Sequence, residues 1–173
     1  LVLGAGSVGI SMLRFAKVFG ADPVIVAARR DEQLAYALEP IGADYAVNSS
    51  REDVAARVRA LTGGKGVDLI IDTSGSAEFI RDSLPALAPE GKAAAYATYR
   101  RDDPLANYIP GDRLAVGKTS EDGAHAYMLD AVRLGLVTLS DYYSHTLPFS
   151  QIADGFAMLE AKKSLKIVFK MGE

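Results

Sequence analysis

The sequence predicts an α/β fold: a doubly wound parallel sheet of about six strands with helices on both faces. Short apolar runs alternate with amphipathic stretches every 20–25 residues or so, roughly the spacing of successive βαβ units. The first apolar run, Leu1–Leu3, passes straight into a glycine-rich turn and then into a helical pattern. At 173 residues and 49% hydrophobic composition, the chain can bury a sizeable core.

Each element follows from its local pattern. Leu1–Leu3 is the first strand. Val8, Met12, Ala16 and Phe19 fall on one helical stripe, with Leu13 and Phe15 beside it, and Gly20 ends that helix. Val24–Ala28 is a second strand and Glu32–Leu38 a second helix; Tyr45–Val47 is a third strand. Arg51–Leu61 is a helix with Val54, Val58 and Leu61 on one face, and Thr62–Gly66 is a turn. Val67–Ile71 is continuous and apolar, as a strand buried on both faces should be. Ser76–Leu87 is helical, with a break near Pro85, and Lys92–Ala97 is a fifth strand.

Beyond Tyr99 the rhythm changes. The stretch to Arg113 is polar, carries two prolines and is expected to be a loop. Leu114–Gly117 is the candidate sixth strand. Ala124–Leu134 is a helix ended by Gly135, Ile152–Glu160 a further helix, and Leu165–Lys170 a last strand. Two regions are expected: a nucleotide-binding domain over 1–118, and a C-terminal segment over 119–173.

Gly4-Ala5-Gly6-Ser7-Val8-Gly9 is G-x-G-x-x-G in the context the motif requires, after a strand and opening a helix. Gly4 allows the tight turn, Gly6 lets backbone approach a pyrophosphate, and Gly9 lets the helix pack closely on the strand. The positive end of the helix then faces the phosphates. This is the signature of a Rossmann dinucleotide site.

The second strand decides which dinucleotide. A site for NAD usually ends that strand in an acid that binds the ribose 2′-OH. Here Ala28 is followed by Arg29 and Arg30, before Asp31. A guanidinium presents a planar fork suited to a phosphate, so NADP is the expected cofactor and NAD the less favoured one. The alternative leaves both arginines solvated and gives the ribose to Asp31 or Glu32.

Other chemistries find little support. The formal net charge is −3, which offers no general attraction to nucleic acid or an anionic membrane. No apolar run approaches the length of a transmembrane helix. There are no cysteines, and His125 and His145 are the only histidines, so no metal site is expected in this chain. No G-x-S-x-G elbow occurs, and no tyrosine has a lysine four residues later, which closes the Tyr-x-x-x-Lys route to hydride transfer. The acids of Arg100–Pro104 and of Ser120–Gly123 are expected to be solvated loop charges, and the lysines near 162–166 to complement a helix end.

The motifs Leu3–Gly9, Phe15–Ala21, Ile41–Asn48, Thr62–Ser76 and His145–Lys170, in this order, resemble the cofactor domain of the medium-chain dehydrogenase/reductases. The zinc-dependent alcohol and polyol dehydrogenase branch is the nearest, because the turn reads Gly-Ser-Val-Gly rather than the paired-glycine form of the zinc-free branch. The resemblance implies that Gly4, Gly6, Ser7, Val8 and Gly9 hold the pyrophosphate and that Arg29 and Arg30 meet a 2′-phosphate. It places the backbone of Thr73 and Ser74 against the cofactor, with Ala97 at the end of the fifth strand and Gly117 near the sixth bordering the nicotinamide.

It also implies an N-terminal catalytic domain that carries the zinc and on which segment 119–173 packs. The expected function is hydride transfer between NADP(H) and a small alcohol, polyol or ketone, with this chain inactive alone. The expected protein is a cytoplasmic homo-oligomer, with Leu114–Val116 as the candidate pairing edge. The alternatives are a stand-alone nucleotide-sensing module, and an NAD(H)-using or zinc-free reductase of the same superfamily.

Overall fold

The computed structural model describes residues 1–99, 109–115 and 121–172. The chain divides into two compact units, Leu1–Lys118 and Thr119–Glu173.

In the first unit strands and helices alternate: β1 (Val2–Leu3), α1 (Ser7–Val18), β2 (Ile25–Ala28), α2 (Asp31–Leu38), β3 (Tyr45–Asn48), α3 (Val54–Leu61), β4 (Val67–Asp72), α4 (Ala77–Ser83) and β5 (Leu87–Ala95). The strands form one parallel sheet in the order β3-β2-β1-β4-β5, with helices on both faces. β1 is central, with Val2 opposite Val26 on one side and Ile71 on the other. The order reverses between β1 and β4, so the loops that follow these two strands share one end of the sheet. In open α/β sheets such a switch point is where ligands bind.

The core sits against β1 and its neighbours. Leu3, Ile25, Val47 and Ile70 from the sheet are fully buried, as are Ile10, Leu13, Val58 and Ile80 from the helices. The face α1 buries differs from the expected stripe: Gly9, Ile10 and Leu13 are inside, Val8, Met12 and Ala16 are half-buried, and Phe19 is 67% exposed. The cause is the close approach at Gly9, which turns that side of the helix toward the sheet. α3 begins at Val54 rather than Arg51, because Asp53 caps it by accepting from the Ala56 amide.

β5 begins at Leu87 and ends at Ala95, where the pattern predicts Lys92–Ala97. Its pairing with β4 passes from Val67–Leu87 to Leu69–Lys92 through an irregularity that includes Pro89 and Gly91. A side chain at Gly91 would stand 2.7 Å from the Val67 carbonyl, so glycine permits that close pairing. β4 is less buried than its apolar run predicts, since Leu69 is 40% exposed. Of the candidate sixth strand, Leu114 makes a single parallel bridge to Ala93; Val116 and Gly117 lie outside the described residues.

The second unit holds α5 (Glu121–Arg133), β6 (His145–Pro148), α6 (Ile152–Glu160) and β7 (Ile167–Lys170). β6 and β7 pair in parallel, His145 opposite Ile167. The α6 helix packs on β7 at Gly155, where an added Cβ would lie 2.5 Å from the Phe169 ring. No helix among the described residues is long and apolar enough to cross a membrane.

Candidate functional site

The turn between β1 and α1 uses its three glycines in three different ways. Gly4 has φ +102°, and its amide donates to the Ala27 carbonyl at 2.8 Å. A Cβ there would meet Thr73 Oγ1 at 2.7 Å. Gly9 lies in the first turn of α1, and its Cβ would fall 2.1 Å from the Gly4 carbonyl oxygen, inside any permitted contact. Gly6 is the opposite case: nothing lies within 4 Å of where its Cβ would be. It is the exposed N-cap of α1, in extended backbone, with no side-chain cap and no acidic residue in the first turn. Ser7 and Val8 are the first two helical residues and are half-buried. The turn therefore offers uncapped amides and a helix dipole to open space.

The loop after β4 fits against this turn. Thr73 donates from both its amide and its hydroxyl to the Leu3 carbonyl at 2.9 Å, so its side chain supports the glycine turn from below. Ser74 turns its hydroxyl to Asp72 Oδ1 at 2.6 Å. Both hydroxyls are thus spent within the protein, and what these two residues offer outward is backbone. Ala97 lies in a bend two residues past the end of β5, rather than ending the strand, and its amide reaches the Asp72 carbonyl at 3.3 Å.

Asp72 carries no role in the sequence reading, yet it organises this end of the site. It is fully buried at the end of β4. Its carboxylate accepts from the Ser74 amide at 3.1 Å, the Ser74 hydroxyl at 2.6 Å, the Gly75 amide at 3.1 Å and the Tyr99 hydroxyl. Burial, then the hydrogen bond to Asp72, hold the Tyr99 hydroxyl protonated far above the ordinary tyrosine range. A signal was available: one acid closes an otherwise apolar strand end and precedes Thr-Ser-Gly, a pattern of local side-chain to backbone turns.

At the end of β2, Ala28 is buried and Arg29 and Arg30 are exposed. Arg30 is the N-cap of α2 and its Nε donates to Gln33 Oε1 at 3.1 Å. Asp31 is engaged on both oxygens: Oδ1 accepts from Asn48 Nδ2 and Oδ2 from Arg51, each at 2.6 Å. The Asn48 amide and the Arg51 guanidinium hold its carboxyl below the usual range against a small cost of desolvation. The structure thus brings Gly4, Gly6, Ser7, Val8, Gly9, Thr73, Ser74 and Ala97 to one end of the sheet, with Arg29 and Arg30 following the next strand.

His125 is exposed on α5, and His145 stands in β6 with Nδ1 2.8 Å from Ser144 Oγ. Among the described residues, no three His, Cys, Asp or Glu side chains gather closely enough to hold a metal ion.

The family model described as zinc-binding dehydrogenase matches residues 7–132. Over 181 residues the chain is 29% identical to the L-threonine 3-dehydrogenase of Pyrococcus horikoshii, covering 99% of this chain and 51% of that protein. The solved alcohol dehydrogenase TADH from Thermus sp. ATN1 matches with a TM-score of 0.84 and 27% identity, over 99% of this chain and 51% of that one. The short chain alcohol dehydrogenase rspB from E. coli CFT073, solved with NADH, matches with a TM-score of 0.77 and 26% identity, over 92% and 47%. The chain spans about half the length of the curated relatives it matches.

Proposed function

The chain belongs to the zinc-binding dehydrogenase family, and from that premise we propose that residues 1–118 bind NADP(H) and hold its nicotinamide for hydride transfer to or from an alcohol, polyol or ketone. The observation that carries the reading is the uncapped start of α1 at Gly6, open to solvent at the switch point of the sheet. Its fit to a diphosphate is direct, since backbone amides and the positive helix end meet the ligand without a side chain in the way. Gly4, Gly6, Ser7, Val8 and Gly9 form this cradle. Thr73, Ser74 and Ala97 supply backbone beside it.

The preference for the 2′-phosphate rests on charge. Arg29 and Arg30 follow β2, Ala28 stands where an acid would bind a 2′-hydroxyl, and Asp31 is occupied by Asn48 and Arg51. Bound there, the nicotinamide is the hydride donor or acceptor; this chain binds and orients it. Zinc fits poorly within the chain, which has no cysteine and no gathered ligand set among the described residues. In this reading zinc would be held by an N-terminal catalytic domain and would supply Lewis-acid polarisation of the substrate oxygen there. Segment 119–173 packs on that domain. Its exposed apolar side chains, among them Leu134, Leu139, Phe149 and Phe156, support that assignment.

The test is a fluorescence titration with NADPH and NADH, repeated on the Arg29→Ala/Arg30→Ala variant. Tighter binding of NADPH is expected in the wild type. Loss of two charge-assisted phosphate contacts should weaken NADPH binding about 100-fold in the variant, with NADH binding almost unchanged. Tighter NADH binding in the wild type, the outcome the NADH-bound E. coli relative would suggest for this chain, refutes the arginine assignment.

A further inference from the structure

We propose that Asp72 and Tyr99 are positioning residues that fix the nicotinamide end of the cofactor site, an inference that rests on the dinucleotide reading above. The argument starts from sheet order. With the diphosphate at the β1 turn and the adenosine at the end of β2, the other half of the dinucleotide must lie over the ends of β4 and β5. Two segments form that surface: Thr73–Gly75 after β4, and residues 96–99 after β5.

Asp72 ties these segments together. Its carboxylate takes three donors from Ser74 and Gly75, and its fourth from the Tyr99 hydroxyl. Its main-chain carbonyl takes the Tyr96 amide at 2.9 Å and the Ala97 amide at 3.3 Å. The segments also touch directly. Gly75 has φ +72°, and a Cβ there would stand 3.1 Å from the Thr98 carbonyl.

The residue type matters. All four partners of the carboxylate are donors, so the group between them must accept on both sides, which an ionised carboxyl does and an amide cannot. A fully buried carboxylate is costly unless so satisfied. A chain that needed only to fill this space would place an apolar residue at the end of β4. The glycine turn, by contrast, is fastened by other bonds, Gly4 to Ala27 and Thr73 to Leu3. Tyr99 therefore governs one half of the ligand surface and leaves the other in place.

That division gives the test. The Tyr99→Phe variant removes one hydroxyl and keeps the ring. Binding of NADPH is compared with binding of 2′-phospho-ADP-ribose, which keeps the adenosine, the diphosphate and the 2′-phosphate but lacks nicotinamide. If the wild type prefers NADH, then NADH and ADP-ribose are the pair. The expected result is weaker binding of the whole dinucleotide, up to about tenfold where the worth of the lost charge-assisted bond goes into ordering residues 96–99 on binding, with a red shift of bound NADPH emission and an unchanged Kd for the truncated ligand. The Asp72→Asn variant, checked for folding by circular dichroism, should show the same selectivity with a larger loss.

Equal weakening of both ligands in Tyr99→Phe means a general structural role and overturns the proposal. Unchanged binding of both also overturns it. Failure of the wild type to bind either ligand refutes the dinucleotide reading itself, and the proposal with it.

Discussion

Substituting alanine at Gly6 and at Gly9 should separate folding from binding within one turn. At Gly9 the new Cβ would lie 2.1 Å from the Gly4 carbonyl oxygen, 2.9 Å from its carbon and 3.1 Å from Thr73 Oγ1. Ordinary contact needs roughly 3.5 Å, so helix and turn must part by more than about 1 Å. The two nearest atoms are backbone and cannot rotate away. Overpacking of this kind costs about 3 kcal/mol, the upper end of its usual range. With a urea slope of about 2 kcal/mol/M, the unfolding midpoint should drop by about 1.5 M. At Gly6 nothing lies within 4 Å of the new Cβ, and φ is −79°. Alanine is a poorer N-cap than glycine, yet it stiffens the unfolded chain; the two effects are each below about 1 kcal/mol and opposed, so stability should stay within about 0.5 kcal/mol. The methyl would nonetheless occupy the approach to the α1 amides. Losing two charged hydrogen bonds, about 3 kcal/mol, should weaken cofactor binding about 100-fold. Urea unfolding and fluorescence titration of both variants check this. A Gly6→Ala protein that binds within twofold of wild type refutes the claim that phosphates approach this turn. A Gly9→Ala protein with the wild-type midpoint refutes the packing argument.

Two further predictions concern the scaffold. Arg59 donates to the Pro85, Gly64 and Leu87 carbonyls at 2.7, 2.8 and 2.9 Å, fastening α3 to the start of β5. Lysine cannot serve three carbonyls spread around a guanidinium, so Arg59→Lys should cost about 1–2 kcal/mol in urea unfolding. Asp44 loses something to desolvation, but the Lys17 ammonium and the Val24 amide outweigh it and hold its carboxyl below the ordinary value. Because the folded-state value is the lower one, the stabilisation is complete above about pH 4 and disappears as pH falls through the depressed value. Asp44→Asn should therefore be less stable than wild type by about 1 kcal/mol at pH 7, and in unfolding curves the gap should narrow below about pH 4 and close only once the pH has fallen past the depressed value.

What the sequence reveals is what short stretches decide by themselves. The glycine turn, the helix Ile152–Glu160 and the stop at Gly135, which has φ +70°, each carry their signal within a few consecutive residues, although distant partners then fasten the turn. What it conceals depends on distant partners. Leu87–Gly91 contains proline, glutamate and glycine and has no strand pattern, yet Val67 draws its start into the sheet. His145–Pro148 is a strand because residues 167–170 return beside it. The buried face of α1 escaped the apolar pattern because its decisive residue is Gly9, which has no side chain to count. Asp72 is legible only in part: its turn with Ser74 and Gly75 is local, but its bond across to the next loop is not. Its importance lies in Tyr99, 27 residues on, which no local window joins to it.

These details bear on an electrostatic question that the composition raises. A chain of formal net charge −3 is proposed to bind a polyanion, so a carboxylate near the ligand works against binding unless it is absent, withdrawn or neutralised. All three devices occur. The first turn of α1 contains no acid. Asp31, the nearest acid after β2, has both oxygens turned to Asn48 and Arg51. Asp72, one strand away from the glycine turn, is buried and wrapped by four donors whose dipoles point at it. Arg29 and Arg30 are exposed, Asp31 and Asp72 are committed, and Glu32 is the acid of the α2 first turn left exposed beside two guanidiniums, a balance that supports the proposed phosphate site although the net charge of the whole molecule does not. The site is therefore better understood from which acids are occupied than from the number of bases. This also explains why net charge alone, read from the sequence, says nothing about this ligand.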